Sequence, residues 1–239
     1  MTPVRGKHDP SLPPCGLLLV NPDDAAYAVR RSVKENWIRH FLFHSNLFVV
    51  PEKGFFWAGP GVGAPMAVLC LEKLIALGAR QIIVVGWCGA LSSDLEVGDI
   101  VLPTSAVSEE GTSAHYPVSG DIYSSGRLRN LLRGGISSGW MKIHEGEVWT
   151  TDAPYRETRE KVALYQGQGV LGVEMEYSAL LQVAAFRKVQ LAAVLLVSDL
   201  LWQDPWVPAF HGKTFRKRSR QLLDDLFGYF ESSASFIAG

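Results

Sequence analysis

The sequence has no long apolar run and no excess of charge of one sign. No stretch approaches the roughly 20 apolar residues that span a bilayer, and residues 1–14 are polar instead of carrying the apolar core of a signal peptide. The formal net charge of −1 creates no overall field that would attract DNA, RNA or an anionic membrane. We therefore expect a cytoplasmic protein with no nucleic-acid and no membrane partner.

Cysteine is scarce, and the usual cofactor motifs are missing. The three cysteines are odd in number and no two have C-x-x-C spacing, which argues against a disulfide framework and a zinc site. The six histidines show no metal-ligand spacing. The glycine run Gly59–Gly63 differs from G-x-G-x-x-G, and no Walker pattern occurs. We predict no metal and no bound cofactor.

What is present is a composition typical of a globular chain with a sizeable core. Apolar residues make up 47% of the 239 residues and charged residues 20%. Apolar runs predict strands at 17–20, 47–50, 55–58, 81–87, 100–102 (continuing near 107), 147–150 and 191–197; helical patterns cover 23–37, 65–77, 124–132, a stretch from about 154, 174–187 and 213–230.

The alternation of these strands and helices predicts an α/β fold, with a largely parallel or mixed central sheet flanked by helices. No shift in composition interrupts the order. We therefore expect one domain over residues 15–239, preceded by a flexible N-terminal arm over residues 1–14.

Two carboxylates, Glu174 and Glu176, lie two residues apart at the start of a strongly apolar predicted helix. A buried carboxylate needs a partner, because an unpaired buried charge is costly, and sugar hydroxyls are suitable partners. Alternatively, the pair complements the dipole at the helix N-terminus. The dipole accounts readily for one glutamate but less well for two within an apolar run.

Asp199 follows Ser198 at the end of the most apolar predicted strand. Partial burial there would raise its pKa and allow it to donate a proton near neutral pH. An Asp that caps the following segment explains the same position equally well, so both interpretations stay open at this point.

Three further segments contain candidate binding residues. Gly86, Trp87 and Gly89 lie where a buried strand ends, a place where ligands gather in α/β sheets, although a tight turn explains the glycines too. Tyr155 and Arg156 begin a predicted helix and are available to stack on or hydrogen-bond a flat polar ligand. His115 lies in a polar loop that is suited to line a pocket, although a lone histidine is more often structural or exposed.

In their order along the chain, these blocks resemble the nucleoside phosphorylase superfamily of purine nucleoside phosphorylase, uridine phosphorylase and the methylthioadenosine/S-adenosylhomocysteine nucleosidases. The matching blocks, from about residue 17 to 200, are Gly59–Gly63, Gly86–Leu91 with Gly98-Asp99, Glu110–Ser113, Thr151–Tyr155, Gly172–Ala179 and Val197–Asp199. The resemblance implies a single α/β domain with a distorted central sheet, and a homo-oligomer that is a dimer or a hexamer.

The resemblance also implies roles for individual residues. Glu176 would hold the ribose 2′- and 3′-hydroxyls, Met175 would pack against the sugar, and Tyr155 would lie against the base. Asp199 would protonate or hydrogen-bond the ring nitrogen of a purine leaving group. Anchored hydroxyls and protonation of the leaving group both lower the barrier when the glycosidic carbon becomes oxocarbenium-like.

The sequence departs from the family at its phosphate-binding motifs. The first phosphate loop of the family has a glycine where this chain has Val20 and an arginine where it has Asp24. The second has an arginine and a hydroxyl residue where Val84 and Trp87 stand. The loss of guanidinium donors weakens phosphate binding. Asp24, Gly86 and Arg39, which resembles an arginine that reaches a neighbouring subunit, are the candidates for an altered phosphate or water site.

Three functions remain open at the sequence level, in this order of preference. The first is phosphorolysis of a nucleoside to base and ribose 1-phosphate, with inorganic phosphate as co-substrate. The second is hydrolysis by water, which the missing arginines favour, and the third is nucleoside binding without catalysis. Asp199 suggests a purine, whereas the regions around His115 and Tyr155–Arg156 look closer to uridine phosphorylases.

Overall fold

The computed structural model describes residues 2–136 and 141–232. The strands within these ranges are β1 (Cys15–Leu19), β2 (Ile38–Leu42), β3 (Ser45–Val50), β4 (Phe55–Gly59), β5 (Gln81–Ala90), β6 (Ile100–Glu109), β7 (Ile143–Thr151), β8 (Gly172–Glu174), β9 (Gln190–Leu200) and β10 (Val207–Pro208). The helices there are α1 (Pro22–Lys34), α2 (Ala64–Leu77), α3 (Gly126–Gly135), α4 (Arg159–Gly167), α5 (Tyr177–Arg187) and α6 (Lys213–Ser232). None of these helices is long and apolar enough to cross a membrane.

The strands form one mixed sheet in the order β10-β9-β6-β7-β8-β5-β1-β4-β3-β2. β1 runs parallel to β4 and β5, and β5 runs parallel to β9, whereas β2, β3 and β4 are antiparallel to one another. Because β5 pairs with both β8 and β9, strands β5, β9, β6, β7 and β8 close into a ring. This ring brings the ends of β5, β8 and β9 together.

Helices cover both faces of the sheet. Along β5, Ile82 and Val84 belong to an apolar cluster with α2 and α5, whereas Ile83 and Val85 belong to a second cluster with α1, α3 and α6. Alternate side chains of a strand point to opposite faces, so both faces of β5 are buried. Such a strand needs a continuous apolar run, and β1 and β9 share this pattern.

The first helix begins directly after β1 because of local capping. The Asn21 side chain accepts a hydrogen bond of 2.8 Å from the Asp23 backbone N–H, and Pro22 occupies the first turn, where its missing N–H is not needed. This arrangement turns the chain sharply at the carboxyl end of β1. Val20 and Asn21 are therefore held beside the ends of β5 and β9.

The predicted fold class is confirmed, and several elements need correction. The helix predicted from about residue 154 begins only at Arg159, because Pro154–Arg156 form a separate 3-10 turn. The helix predicted from residue 174 is wrong at its start: Glu174 ends the short strand β8, and α5 begins only at Tyr177. The helix predicted to reach residue 37 ends at Lys34. β2 was not predicted, because its largely exposed residues lack the apolar signal of a buried strand.

β1 begins at Cys15, the predicted start of the domain. In the segment before it, Leu12 is buried and donates its backbone N–H to the Leu77 carbonyl at 2.9 Å, and Lys73 contacts Asp9 at 2.5 Å. The flexibility of the arm stays a prediction. Parts of the predicted domain at 137–140 and 233–239 lie outside the described residues.

Candidate functional site

A cavity of about 620 Å³ lies where β5, β8 and β9 end. β5 contributes Trp87, Cys88 and Gly89 to its wall, and β9 contributes Ser198 and Asp199. Further lining residues come from β8 and the turn after it, from the start of α1, and from the segments before α4 and after β9. The cavity is therefore built at strand ends, as in other α/β sheets.

Glu174, at the end of β8, is held by a full set of hydrogen bonds. Its Oε2 accepts the backbone N–H groups of Glu176 at 2.7 Å and Tyr177 at 2.6 Å, and its Oε1 accepts the hydroxyl of Thr150. The same hydroxyl oxygen accepts the Ser178 N–H at 2.9 Å. Glu174 thus caps the start of α5 and fixes the chain around the next carboxylate.

Glu176 points the second carboxylate toward the cavity. Its Oε1 accepts the backbone N–H of Gly63 at 2.6 Å, and no hydrogen bond of good geometry from the described residues reaches its Oε2. Gly63 has φ of 75°, a conformation that suits glycine, and starts α2 after the Gly59–Gly63 loop. The loop therefore orients Glu176 and leaves an acceptor for a ligand.

Burial raises the pKa of both Glu174 and Glu176. For Glu174 three hydrogen bonds oppose this increase. For Glu176 the charge of Glu174 adds to the increase, and the backbone N–H of Gly63 and, more weakly, that of Met175 oppose it. We therefore assign the negative charge of the pair to Glu174. Hydroxyl donors from a ligand would favour ionisation of Glu176 as well, because hydrogen bonds to a carboxylate stabilise its charged form.

Asp199 is the carboxyl group that β9 contributes. Its Oδ1 accepts the Ser198 hydroxyl at 2.6 Å and its Oδ2 accepts the Trp206 indole N–H at 2.8 Å. Burial raises the pKa of Asp199, although these two hydrogen bonds oppose the increase. A Cβ at Gly89 would lie 3.1 Å from Asp199 Oδ2 and 2.2 Å from Leu201 Cδ1, so Gly89 makes room for this side of the cavity.

Glu157, just before α4, and Arg159, the first residue of α4, line the cavity. Burial raises the pKa of Glu157 to about 7, and the charge of Asp199 contributes to the increase. The Arg159 guanidinium donates to Gln203 O at 2.9 Å and to Asp204 Oδ1 at 2.6 Å. Arg159 therefore holds the segment after β9.

Trp87 separates the cavity from a smaller cleft of about 160 Å³, which is lined by Asp24. Its ring packs edge-on against Phe215 at 4.8 Å. Asp24 is buried and accepts the hydroxyl of Ser219. Burial raises the pKa of Asp24 to about 6; Ser219 and the nearby Trp87 indole lower it, although that indole makes no well-formed hydrogen bond to the described residues.

Seven of the twelve site residues predicted from the sequence line the cavity: Trp87, Gly89, Tyr155, Glu174, Met175, Glu176 and Asp199. The other five are outside its lining: Asp24, Arg39, Gly86, His115 and Arg156. Tyr155 lies at the wall but is fully exposed in the single chain, at 101%. Within 2–136 and 141–232, no group of three or more His, Cys, Asp or Glu side chains is arranged to hold a metal.

The model of the phosphorylase superfamily matches residues 15–227 of the chain. The chain belongs to this superfamily. A guanosine phosphorylase from Halorubrum lacusprofundi is 33% identical over 146 residues, covering 59% of this chain and 59% of the relative. A DeoD-type purine nucleoside phosphorylase from Clostridium novyi is 33% identical over 145 residues, covering 59% and 62%. The match thus spans about three fifths of the length of these relatives.

Two solved structures share the fold of this chain. The uridine phosphorylase from Vibrio fischeri gives a TM-score of 0.76 at 24% identity and is matched over 92% of each chain. The purine nucleoside phosphorylase from Toxoplasma gondii, in complex with immucillin-H, gives 0.78 at 19% identity over 92% of this chain and 91% of that one.

The sequence analysis missed several cavity residues of this superfamily member. Glu157 and Arg159 lie just beyond Tyr155, which was a candidate, so their position near that residue was the available signal. Trp206 gave no signal, because it follows β9 in an irregular segment and reaches Asp199 only through the tertiary fold. The Gly59–Gly63 run matches neither G-x-G-x-x-G nor a Walker pattern; in the structure its last residue, Gly63, donates its backbone N–H to Glu176.

Proposed function

We propose that this protein cleaves the N-glycosidic bond of a nucleoside and transfers the ribosyl group to inorganic phosphate. The observation that carries the proposal is the presence of Glu176 and Asp199 in one cavity. Glu176 has an oxygen that receives no well-formed hydrogen bond from the described residues, and Asp199 has a raised pKa. Glu176 would accept hydrogen bonds from the ribose hydroxyls. Met175 and Tyr155, which line the same cavity, would contact the sugar and the base.

In the proposed reaction, the bond between C1′ and the base nitrogen breaks and its electron pair moves to the base. Asp199 donates a proton or a hydrogen bond to a purine ring nitrogen, which stabilises the leaving group. A phosphate oxygen forms the new bond to C1′, giving ribose 1-phosphate. No cofactor is required, because phosphate is the only co-substrate.

A second candidate is hydrolysis, in which water takes the place of phosphate. The specific observation in its favour is the charge of the cavity wall. Four carboxyl groups line it, from Glu157, Glu174, Glu176 and Asp199, and Arg159, the one guanidinium among the described lining residues, is bound to Asp204. Anions are disfavoured near carboxylates, whereas water is not.

The experiment that separates the two reactions measures the products with and without phosphate. Purified protein is incubated with adenosine, inosine or uridine in a phosphate-free buffer and in the same buffer with added phosphate. Phosphorolysis predicts base release only with phosphate, together with ribose 1-phosphate. Equal rates in both buffers, with ribose as the product, would establish hydrolysis. Nucleoside binding in calorimetry without turnover would instead identify a binding protein.

We also propose that the chain forms a homo-oligomer. Arg39 lies exposed on β2, outside the cavity of its own chain, and donates to Asn46 at 2.7 Å. A role in phosphate binding therefore requires Arg39 to reach the cavity of a second copy. Apolar side chains are exposed in the same region, with Phe41 at 82%, which is typical of a surface that another chain covers.

A further inference from the structure

Glu157 is a cavity carboxyl group for which the proposed reaction gives no role. It follows the short 3-10 turn Pro154–Arg156, and its backbone N–H donates to the Pro154 carbonyl at 3.3 Å. Its side chain makes no hydrogen bond or ion pair with the residues that the structure describes. A half-buried carboxyl group without a protein partner is available to a ligand.

Among the described residues that line the cavity with Glu157, none is a free cation. Arg159, on α4, already donates to the segment after β9 through Gln203 and Asp204. Asp199, on β9, is the acidic neighbour that contributes to the electrostatics of Glu157. The remaining ionisable side chains that line the cavity are Cys88, Tyr155, Glu174 and Glu176. The group that best satisfies Glu157 is therefore a neutral hydrogen-bond donor on a ligand.

The charge of the Glu157 side chain changes within the physiological pH range. Burial, assisted by Asp199, raises the pKa of Glu157 to about 7. The side chain is consequently a neutral acid below this pH and a carboxylate above it. A carboxylate only accepts hydrogen bonds, whereas a neutral carboxylic acid also donates one. The same side chain thus presents opposite chemistry at pH 6 and at pH 8.

A purine carries its 6-substituent on the same edge as ring nitrogen N7. Adenine presents an amino donor there, and a 6-oxopurine presents a carbonyl acceptor. We propose that Glu157 recognises this substituent while Asp199 faces N7: the carboxylate selects 6-aminopurine nucleosides, and the neutral acid admits 6-oxopurine nucleosides. The inference rests on the proposed function, because that function places the base beside Asp199.

The test is the ratio of kcat/KM for adenosine to kcat/KM for inosine, measured between pH 6 and pH 8. A ratio cancels effects that are common to both substrates, including general changes in folding or in Asp199. A hydrogen bond to a charged group contributes enough free energy to change an affinity about tenfold. We therefore expect the ratio to rise about tenfold from pH 6 to pH 8 in the unmodified protein. In Glu157→Gln, whose amide both donates and accepts at every pH, we expect a ratio that stays constant.

The matched control is Glu160→Gln, which removes an exposed carboxylate three residues further along the chain and outside the cavity lining. It should retain the pH-dependent ratio. Two results would overturn the role of Glu157 and leave the proposed function intact. In the first, the unmodified protein cleaves both nucleosides but its ratio of kcat/KM values does not change with pH. In the second, the ratio still changes with pH in Glu157→Gln.

Binding measurements distinguish failure of the inference from failure of the proposed function. The Kd values of adenosine and inosine are measured by calorimetry without phosphate at pH 6 and pH 8. If neither nucleoside is cleaved but the Kd ratio changes with pH only when Glu157 is present, the proposed reaction fails and recognition by Glu157 stands. A Kd ratio that is constant in both proteins would reject recognition.

Discussion

The carboxyl groups around the cavity differ in the number of protein hydrogen bonds that each one accepts. Glu174 accepts three hydrogen bonds, including two from backbone N–H groups, and thereby stabilises the start of α5. Glu176 accepts one and Glu157 accepts none from the described residues. Because a buried carboxylate without donors is costly, the last two groups are the ones that gain most from a ligand.

Replacing Glu176 tests its proposed contact with the ribose. Glu176→Ala should lower kcat/KM for a ribonucleoside by about 100-fold, because hydrogen bonds to a charged acceptor contribute about 1.5–3 kcal/mol each. The decisive measurement compares a ribonucleoside with its 2′-deoxy analogue. The unmodified protein should prefer the former, and the variant should lose that preference. An unchanged preference would argue against the contact, and Glu52→Ala, an exposed carboxylate, is the control.

The raised pKa of Asp24 predicts that the free energy of unfolding depends on pH. Its pKa in the folded protein is about 6, against an ordinary value of 3.8, so the folded state holds a proton that the unfolded chain releases. The contribution of protonated Asp24 to the free energy of unfolding is complete below pH 4 and is lost as the pH rises through 6. With about 1.4 kcal/mol per pKa unit, the loss is roughly 3 kcal/mol at pH 8.

Asp24→Asn removes this titration and keeps an oxygen that can accept from Ser219. We expect thermal unfolding to show a higher Tm than the unmodified protein at pH 8, with a smaller gain at pH 4.5. Asp121→Asn, at an exposed position that does not contribute to the raised pKa of Asp24, should show no such difference between the two pH values. An equal change in Tm at both pH values would contradict the assignment of the titration to Asp24.

At the scale of secondary structure, the loop after β4 links the fold to the site. Gly59 has φ of 147°, and an added Cβ would lie 2.3 Å from the Leu19 carbonyl oxygen. That carbonyl also accepts the Gly61 N–H at 3.1 Å. The end of β1 therefore fixes the start of the loop whose last residue, Gly63, binds Glu176.

Gly59→Ala should consequently lower the free energy of unfolding by about 2 kcal/mol or more. The alanine would have to adopt a strained positive φ, and its Cβ would clash with the Leu19 carbonyl oxygen. Denaturant unfolding measures the change. Gly111→Ala is the control, because its Cβ would meet no atom within 4 Å and its φ is not in the positive region; a change within about 0.5 kcal/mol is expected there. Similar losses for both variants would contradict the packing argument.

The elements also explain which parts of the fold the sequence could predict. β5 and β9 are buried on both faces, so their apolar runs identified them directly. β2 is an edge strand with little burial and gave no such signal. Glu174 was expected on the helix over 174–187, because a three-residue strand is too short to show its own period.

The site was predictable only in part for a related reason. Glu176 and Asp199 belong to blocks that resemble a family, and both line the cavity. Glu157 and Trp206 belong to no such block. Trp206 reaches Asp199 because β10 folds back along β9, and Glu157 lies close enough for the charge of Asp199 to raise its pKa. Asp24 was expected near an anion site, but α1 turns it toward α6, where it contacts Ser219.

At the scale of the whole molecule, the outer edge of the sheet carries exposed aromatic residues. Among the strands of the described ranges, β2 pairs with β3 alone, and Phe41 and Phe43 pack edge-on with their ring centroids 6.5 Å apart. An exposed strand edge with apolar side chains favours association with another chain. The proposed oligomer therefore has a specific candidate contact.

Phe41→Ser should weaken this association. Removal of the aromatic ring takes an apolar contact away from the proposed interface. We therefore expect light scattering coupled to size exclusion to show a lower mass for the variant than for the unmodified protein at the same concentration. Leu164→Ser, at an exposed position on α4, should leave the mass unchanged. A monomeric unmodified protein would contradict the proposed oligomer itself.

Two tryptophans, Trp87 and Trp206, form part of the cavity wall. The Trp206 indole donates to Asp199, and the Trp87 indole lies between the cavity and the cleft of Asp24. A purine bound beside them would change the polarity around both rings and displace water from them. The protein thus contains its own fluorescent reporter: occupancy of the cavity can be followed by titrating emission intensity, without a label and without turnover.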